Sequence, residues 1–556
     1  MAMLRPALLT QRAVRRLPRG ALVALCAAYL LPGVVGRDPW RSADLAAYAQ
    51  MLAMAEGRVS WWLPTLGGAT ADLALLPHWL GAAFIVGLGP LLSPPLAARL
   101  AFALLLGGVL WLVWSATRHL ASTEAAQPVP FAFGGEADPS DYSRAIADTA
   151  LLALMATLGL LQLGHETTPE LGQLFATTLL AYGLAAAPFK PGRAMTAIAL
   201  ALPMLAGSGA PTIAMLMGAA STVVCRMSSY PQVRRLALWP AGATAVAALV
   251  AGGLGAWHWR LTGLTAESLL ALPRQWAWFM WPTGPLALWA LWRWRRHLQN
   301  RHLSVPLTCV VPALIANVLM DGSDRALLLG LPGLAMMSAF ALPTMKRAAT
   351  AAIDWFSVFF FSACALAIWV IYLAMLTGIP AKPASNVAKL APGFTAEFSA
   401  WALAPALVGT ASWLLLVRWR TGRHREAVWK SMVLPAGGVA LCWLLLMTLW
   451  LPLLDYARSS RPWVTRVSAW VPAGQCIAGP QLTRAAVAAL EVVGRYVVDA
   501  GADALRCPWR IDVHRRAPAS DRIDGWIKVA ELRRPTDRDE LTLVYRRAGT
   551  GSRAAD

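Results

Sequence analysis

The sequence predicts an α-helical polytopic membrane protein with about 13 transmembrane helices and a small C-terminal α/β domain outside the membrane. Hydrophobic residues make up 57% of the 556 residues, the mean hydropathy is +0.52, and only 14% of the residues are charged. Soluble domains carry about 25% charged residues, whereas apolar runs of about 20 residues, which recur along this chain, are typical of membrane spans. From about Asp455 onward no apolar run reaches that length, and residues 455–556 hold 17 Lys and Arg residues.

The net charge of +20 is carried largely by short basic clusters between the apolar runs. The positive-inside rule expects such clusters in cytoplasmic loops, so the charge does not indicate a nucleic-acid partner. The N-terminus, MAMLRPALLTQRAVRRLPRG, is basic and precedes the apolar run ALVALCAAYLLPGVVG. A cleaved signal peptide is one interpretation. The lack of a clear small-residue cleavage site before Asp38 favours a retained signal anchor with a cytoplasmic N-terminus.

Residues 78–94, HWLGAAFIVGLGPLLSP, decide the predicted topology because a 17-residue segment is at the lower limit for a span. If this segment does not cross, the cytoplasmic loops carry 18 Lys and Arg residues and the opposite loops carry 5. A crossing would invert that asymmetry. We therefore expect residues 78–94 to lie in the interface or to dip in and return. The predicted spans are 20–36, 96–117, 146–163, 170–188, 194–208, 211–226, 236–257, 275–293, 304–320, 326–343, 350–377, 399–417 and 431–451.

An odd number of spans puts the C-terminus outside the membrane. We expect a transmembrane domain over residues 1–452, with a large first periplasmic loop at 37–95, and a periplasmic α/β domain over 453–556. In this domain RAAVAALEVVGRYVVDAG has helical periodicity, while GWIKVAELR and LTLVYRR alternate like strands. Its two cysteines, Cys476 and Cys507, suit a disulfide in an oxidising periplasm, with two unrelated free thiols as the alternative.

The first loop opens with GRDPWRSADLAAYAQMLAMAEG, which contains two aspartates. Asp38 followed by Pro39 predicts a helix N-cap and first helical residue. On a helix over residues 40–55, Asp44 falls within an apolar stripe. One explanation is a local ion pair with Arg41 at i,i+3 spacing. The other is a catalytic carboxylate that faces a cavity at the membrane surface, where ionisable residues are often functional.

The next outer turn, GHETTPE, places His165, Glu166 and Glu170 directly after a predicted span. In the simpler interpretation these are solvated residues of a turn, and Glu170 complements the start of the following helix. A His-Glu pair alone is too short to establish a metal site. The turn nevertheless supplies a second acidic group at the same membrane level as Asp44.

Scattered cations mark the predicted outer face. Each one alone is typical of an anchor at the level of the lipid headgroups, whereas together they are candidates to hold a lipid-linked phosphate. They are Arg260, Arg274, Arg325, Lys382 and Lys389. The sequence has no Walker A loop, HExxH, GxSxG or CxxC motif, and no convincing repeat of 20–50 residues.

These features resemble those of the ArnT-like lipid-linked sugar transferases of the GT-C superfamily, which also contains the protein O-mannosyltransferases. The resemblance is carried by GRDPWRSADLAAYAQMLAMAEG followed by WWLPTLGG, by GHETTPE, by WPTGPLALWALWRWRR and by DYARSSRPW. It implies a GT-C fold, a polyprenyl-phosphate sugar donor, hexosyl or pentosyl transfer with inversion, and a bacterial inner-membrane location.

By position, the resemblance assigns Asp44 as the catalytic aspartate of the first loop. Glu166, or His165, then corresponds to the acidic residue of the second loop. The family also has an acidic residue, Lys or His, and two prolines just before the interfacial segment. Here ATADLALLPHWLG keeps Asp72 and His78 in the vicinity but lacks that compact motif. Arg41, Asp72 and His78 are further candidates for donor-phosphate contacts, and Asp44, Glu166 and His165 are the candidates for a divalent metal, if one binds.

The leading functional hypothesis is a membrane glycosyltransferase that moves a sugar from a polyprenyl-phosphate donor to a lipid A, glycan or protein acceptor on the periplasmic side. The competing class is a non-catalytic membrane protein, either a degenerate transferase subunit or a lipid or polysaccharide translocation factor. The missing compact motif before the interfacial segment supports this second class.

Overall fold

The computed structural model describes residues 9–40, 42–71, 73–128, 135–257, 265–422, 427–501, 506–515 and 523–548. These residues are mostly helical, and the chain divides into two compact units. Unit 1 comprises Met1–Val34, Phe102–Leu366 and Trp401–Thr448, and unit 2 comprises Val35–Ala101, Ala367–Ala400 and Leu449–Asp556. The first loop, 37–95, therefore falls in the same unit as the C-terminal region, whereas the sequence predicts it as part of the transmembrane domain.

Helices account for almost all of unit 1. In the described residues of the whole chain, the α-helices are α1 Arg19–Leu30, α2 Ala43–Ala55, α3 Leu75–Leu88, α4 Pro94–Ala121, α5 Pro139–Ala156, α6 Leu158–Leu163, α7 Pro169–Ala186, α8 Pro191–Gly207, α9 Pro211–Arg226, α10 Pro231–Arg235, α11 Leu238–Gly253, α12 Ala266–Phe279, α13 Thr283–Arg293, α14 Arg301–Leu319, α15 Asp324–Leu328, α16 Leu331–Ala341, α17 Arg347–Thr377, α18 Ala381–Leu390, α19 Ala400–Thr421, α20 Lys430–Thr448, α21 Leu451–Arg458, α22 Arg461–Ser468 and α23 Arg484–Val492. Short 3-10 helices occupy Gln11–Val14, Glu124–Ala126 and Leu342–Thr344.

Within the described residues, six helices are long and apolar enough to cross a membrane: Pro94–Ala121, Pro231–Gly253, Arg301–Leu319, Ala348–Thr377, Ala400–Thr421 and Lys430–Thr448. Shorter apolar helices lie at Arg19–Leu30, Leu75–Leu88, Pro211–Arg226 and Leu331–Thr344. The chain is a multi-pass membrane protein. Helix covers most of each predicted span, but the count of 13 crossings stays a prediction.

The helix boundaries follow proline positions in several places. Helices α7, α8 and α9 each begin with proline, which fits the first helical position because the N–H that it lacks would have no intrahelical partner there. The predicted span 275–293 is instead divided into α12 and α13, with Trp281 and Pro282 between them. Pro282 has no N–H to donate, which disfavours a continuous helix at this point, although α12 and α14 accommodate prolines in their interiors.

Helix α3 covers most of the segment that decided the predicted topology. Its 14 residues extend about 21 Å, which is shorter than the hydrocarbon core of about 30 Å. A new helix, α4, begins at Pro94. The length of α3 is compatible with a segment that does not cross, and the side of the membrane on which each loop lies stays a prediction.

Unit 2 contains a five-stranded sheet near the C-terminus. Its strands are β3 Cys476–Ala478, β4 Val497–Asp499, β5 Trp509–His514, β6 Trp526–Arg534 and β7 Asp537–Arg547, in the order β4-β3-β5-β7-β6. Strand β3 runs parallel to β4 and β5, whereas β7 runs antiparallel to β5 and β6. A separate hairpin in the first loop consists of β1 Thr65–Leu66 and β2 Ala69–Thr70.

The two strands predicted from alternating sequence form β6 and β7, but the helix predicted over 484–501 is wrong in its second half. Helix α23 ends at Val492, and β4 begins at Val497. Gly494 and Arg495 intervene, and Arg495 has a φ of 52° that ends the helical path. The β-branched residues of VVD then suit a strand. Cys476 and Cys507 are joined by a disulfide, with their Cα atoms 4.9 Å apart.

The core of unit 2 ties the first loop to this sheet. Leu45 and Ala49 of α2 belong to the same buried cluster as Trp463 of α22, Leu490 of α23 and Val544 of β7. This packing fixes which side of α2 faces inward. It therefore sets the position of Asp44, the residue before Leu45.

Candidate functional site

Asp44 lies in the first turn of α2 and is buried, with 2% of its surface exposed. The helix begins at Ala43, after Ser42 adopts a φ of 84°, a left-handed conformation that is uncommon for serine. This turn directs the chain so that Oδ2 of Asp44 accepts the backbone N–H of Trp40 at 3.1 Å. A carboxylate at a helix N-terminus is also stabilised by the helix dipole.

Two buried arginines face the Asp44 carboxylate. Nη2 of Arg37 lies 3.7 Å from Oδ2 of Asp44, and both side chains are almost fully enclosed. Arg99 of α4 is 5% exposed and interacts electrostatically with Asp44, Asp38 and Arg37. A buried charge needs a partner, and within unit 2 the Asp44 carboxylate has these two guanidinium groups nearby.

The prediction that Asp38 caps α2 is wrong. The helix begins five residues later, and Asp38 instead contacts residues near the C-terminal sheet. Its Oδ2 accepts hydrogen bonds from Oγ of Ser459 at 2.9 Å and from Nε of Arg461 at 2.6 Å. Asp38 therefore joins the start of the first loop to the segment that follows α21.

Asp455 of α21 completes this junction. Its Oδ1 accepts the indole N–H of Trp40 at 2.8 Å, and both of its oxygens lie 3.3 Å from the backbone nitrogen of Asp38. The guanidinium carbons of Arg37 and Arg458 each lie 4.9 Å from the centre of the Trp40 ring. Trp40 thus links the Asp44 side of the cluster to the Asp455 side.

Burial raises the pKa of Asp455 to about 6, the hydrogen bond from Trp40 opposes that rise, and the nearby charge of Asp38 adds to it. The carboxylate lines a surface pocket of about 350 Å³. The pocket walls come from the start of the first loop, from the segment after α18 and from α21 with the residues that follow it. They are Asp38, Gly393, Phe394, Thr395, Pro452, Asp455, Tyr456, Ser459, Arg461 and Pro462.

Sequence reasoning did not select Arg37, Arg99, Asp455 or Arg461 as site residues. The segments GRDPW and DYARSSRPW, which contain three of these residues, both belong to the stretches that carry the family resemblance. In the structure the two segments meet through the bridge between Trp40 and Ser459. Nothing in either segment alone indicates that they are neighbours.

Unit 1 holds a second charged cluster, around Arg325 of α15. Its Nη2 lies 2.7 Å from Oε2 of Glu166, and its Nη1 lies 3.0 Å from Oε2 of Glu170 and 3.1 Å from Oγ1 of Thr168. Burial lowers the pKa of Arg325, but the carboxylates of Glu170 and Glu166 outweigh it, so the net shift is upward. A phosphate at Arg325 would have to compete with two carboxylates. As arranged, Arg325 positions the Glu166 turn.

His165 uses both of its ring nitrogens within unit 1. Nδ1 lies 2.6 Å from the carbonyl oxygen of Leu161, and Nε2 lies 2.9 Å from that of Tyr29. The ring also packs against Trp443, with centroids 4.7 Å apart. Because both nitrogens face carbonyl oxygens, this arrangement suits a packing residue better than a general base or a metal ligand.

The other predicted site residues within the described part of the chain lie on three different helices. His78 is buried in α3, Arg274 is exposed on α12, and Lys382 and Lys389 are exposed on α18. Arg41, Asp72 and Arg260 lie outside the described residues, and so does the proposed pair of Arg41 with Asp44.

A divalent cation needs several oxygen or nitrogen ligands close together. Across the described part of the chain, no group of three His, Cys, Asp or Glu residues could hold a metal ion. The two carboxylates proposed for such a site, Asp44 and Glu166, instead face the guanidinium groups of Arg37 and Arg325. Asp44 belongs to unit 2 and Glu166 to unit 1, and the prediction that the two acidic groups lie at the same membrane level stays a prediction.

No family model matches the chain, and no curated protein matches it significantly by sequence. Solved structures do match its fold. The crystal structure of ArnT from Cupriavidus metallidurans bound to undecaprenyl phosphate has a TM-score of 0.58 and 14% identity, and the match covers 94% of this chain and 97% of that one. The apo state of the same protein has a TM-score of 0.57 and 15% identity, covering 94% and 98%.

A third structure is more distant. The archaeal oligosaccharyltransferase AglB from Archaeoglobus fulgidus, in complex with an inhibitory peptide and a dolichol-phosphate, has a TM-score of 0.47 and 10% identity, covering 88% of this chain and 69% of that one. That score is too low to add to the fold assignment. The two ArnT structures cover nearly the full length of both chains, and at 14–15% identity they establish the fold alone. The chain therefore has the fold of ArnT, which confirms the predicted resemblance at the level of the fold.

Proposed function

We propose that this protein is an integral-membrane glycosyltransferase that moves a sugar from a polyprenyl-phosphate donor to an acceptor on the outer side of a bacterial inner membrane. The observation that carries the proposal is Asp44, a buried aspartate held at the N-terminus of α2 by Trp40 and Arg37. The likeness to an ArnT structure bound to undecaprenyl phosphate supports the class of donor.

In the proposed reaction, Asp44 orients a hydroxyl group of the acceptor and takes its proton. The hydroxyl oxygen attacks the anomeric carbon of the donor sugar while the bond from that carbon to the phosphate oxygen breaks. The lipid phosphate leaves with the electron pair, and the single displacement inverts the anomeric carbon. A positioned general base contributes about 10²–10⁴-fold to the rate of such a step.

The leaving phosphate gains negative charge, which nearby cations stabilise. In unit 2 we assign this role to Arg37, which pairs with Asp44, and to Arg99, whose charge interacts with Asp44, Asp455 and Asp38. Lys382 and Lys389, exposed on α18, suit contacts with the lipid headgroup region. Arg325 is not part of this proposal because its guanidinium is already bound by Glu166 and Glu170.

The C-terminal sheet of unit 2 is proposed to lie in the periplasm and to bind or gate the acceptor. Lipid A, a glycan and a protein all remain acceptor candidates. No step of the proposed reaction depends on a divalent metal.

The experiment compares the purified wild type with the variants Asp44→Asn and Glu56→Gln. Glu56→Gln is the matched control because it changes an exposed carboxylate at the opposite end of the same helix. Each protein is incubated with total lipid-linked sugars extracted from membranes and with endogenous acceptors, and the transfer of sugar to the acceptors is measured. We expect turnover by the wild type and by Glu56→Gln, and a loss of about 10²–10⁴-fold in Asp44→Asn.

Two results would contradict the proposal. Full activity of a correctly folded Asp44→Asn variant would remove Asp44 from the mechanism. No turnover by the wild type with any donor and acceptor fraction would favour the alternative of a non-catalytic subunit or translocation factor.

A further inference from the structure

The pocket beside Asp455 contains polar groups of both kinds. Asp38 and Asp455 supply acceptor oxygens and Arg461 supplies donors, whereas the single hydroxyl hydrogen of Ser459 is already donated to Asp38. The Nε–H of Arg461 donates to Asp38, and the planar guanidinium carries further N–H groups that can reach a ligand. The pocket therefore offers donors and acceptors side by side, which matches the pattern that ligand hydroxyl groups need.

Two aromatic side chains form part of the wall. The rings of Phe394 and Tyr456 lie 5.6 Å apart at their centres and are tilted by 54°. The hydroxyl of Tyr456 donates to the carbonyl oxygen of Pro392 at 2.6 Å, which ties the segment containing Phe394 to α21. The ring of Tyr456 is thus held in place in the pocket wall beside Phe394.

The charge of the pocket argues against a free cation as its ligand. Arg461 already neutralises Asp38 at 2.6 Å. Asp455 accepts the indole N–H of Trp40 and faces the backbone N–H of Asp38, so its oxygens are partly satisfied. A ligand hydroxyl group, which both donates and accepts hydrogen bonds, fits these groups better than an ammonium ion, which only donates them.

We propose that this pocket binds one neutral sugar ring, with Asp455 accepting hydrogen bonds from ring hydroxyls, Arg461 donating to ring oxygens and Tyr456 packing against the apolar face of the ring. The volume of about 350 Å³ is at the lower end of the range of about 300–1,000 Å³ typical of small-molecule sites. The lining combines apolar and aromatic surface with a few polar groups that fix orientation, which is the usual composition of such sites.

We take this sugar ring to be part of the acceptor, and that assignment rests on the proposed function. Binding itself does not, because it needs neither a donor lipid nor turnover. Sugar binding can therefore be measured independently of sugar transfer, and the two proposals can fail separately.

The test uses the full-length protein in detergent, titrated with methyl α-D-glucopyranoside, methyl α-D-mannopyranoside and methylammonium chloride, and monitored by saturation-transfer NMR and calorimetry. The variants are Asp455→Asn and Tyr456→Ala, which change different walls of the pocket. The control is Glu397→Gln, which changes an exposed carboxylate close to the pocket segment but outside its lining. Size-exclusion profiles and thermal unfolding verify that each variant is folded.

We expect millimolar binding of at least one glycoside to the wild type and to Glu397→Gln. Affinity should fall about tenfold or more in Asp455→Asn, because a hydrogen bond to a charged group is lost. Tyr456→Ala should also weaken binding through loss of the ring, which gives a second readout if Asp455→Asn does not fold.

Three results would overturn the proposal. The first is the absence of binding by either glycoside. The second is glycoside binding that neither pocket variant changes. The third is methylammonium binding that is tighter than glycoside binding and is lost in Asp455→Asn, because that result identifies a cation site. Glycoside binding without any sugar transfer would instead support the pocket and contradict the proposed function.

Discussion

Replacing Asp455 by asparagine should stabilise the folded protein more at pH 8 than at pH 5. In the folded state Asp455 is partly enclosed on α21, outside the candidate membrane spans, and its pKa is raised from an ordinary 3.8 to about 6. Burial is the largest cause, since it disfavours the ionised carboxylate. Asparagine keeps a carbonyl oxygen that can accept the indole N–H of Trp40, but it does not ionise.

The sign and size of this pH-dependent stability difference follow from the linkage between protonation and folding. A carboxyl with a raised folded-state pKa contributes its full stability below its unfolded pKa, and that contribution is lost as the pH rises through the folded pKa. A pKa difference from 3.8 to about 6 corresponds to about 3 kcal/mol, at about 1.4 kcal/mol for each tenfold change. About half of this loss of stability in the wild type is already present at pH 5. The difference between asparagine and aspartate should therefore grow by about 1.4 kcal/mol from pH 5 to pH 8.

The assay is unfolding of the detergent-solubilised protein at several pH values between 5 and 8, with the wild type and the variant measured side by side. The quantity of interest is how the difference in unfolding midpoint changes with pH, because lost or altered hydrogen bonds shift that difference by a constant. Glu397→Gln, which changes an exposed carboxylate, serves as the control. Its difference from the wild type should stay flat over the same range.

A flat difference for Asp455→Asn would refute the reasoning, because it would mean that the folded protein does not disfavour the ionised carboxylate. A difference that shrinks as the pH rises would also refute it. That result would mean that Arg99, Arg461 and the N–H donors stabilise the ionised form more than burial destabilises it.

Three further predictions concern stability. Arg325→Ala should lower the free energy of unfolding by about 1–3 kcal/mol, because it leaves the buried Glu166 carboxylate without its guanidinium. Glu170→Gln changes the more exposed of the two carboxylates and should cost less in the same denaturation assay. Gly333→Ala should destabilise by about 1–3 kcal/mol, since its Cβ would lie 2.6 Å from a backbone oxygen of α14, whereas Gly192→Ala meets no atom within 4 Å and should be neutral or slightly stabilising. Reduction of the disulfide, which closes a loop with a sequence separation of 31, should lower stability by about 3–4 kcal/mol, and an unchanged midpoint in dithiothreitol would contradict that expectation.

Local sequence patterns predicted the positions of many elements. Apolar runs bounded by proline and glycine lie where the structure has helices, and the alternation in GWIKVAELR and LTLVYRR marks β6 and β7. These predictions work because length, periodicity and helix breakers act over a few residues. The same local reasoning was wrong over 484–501, where a helical period continues into β4, and at Asp38, where a cap signal precedes a loop.

The sequence by itself also placed Asp44 on an apolar face of α2, although the structure buries other sides of this helix as well, among them the one that carries Gln50. It did not determine the partners of that face. Trp40 contacts Asp455 across 415 residues, and Arg325 contacts Glu166 across 159. Such contacts depend on how whole segments pack within each unit, and no pattern within a short window specifies them. Only the tertiary structure placed Arg37 beside Asp44 and formed the pocket beside Asp455.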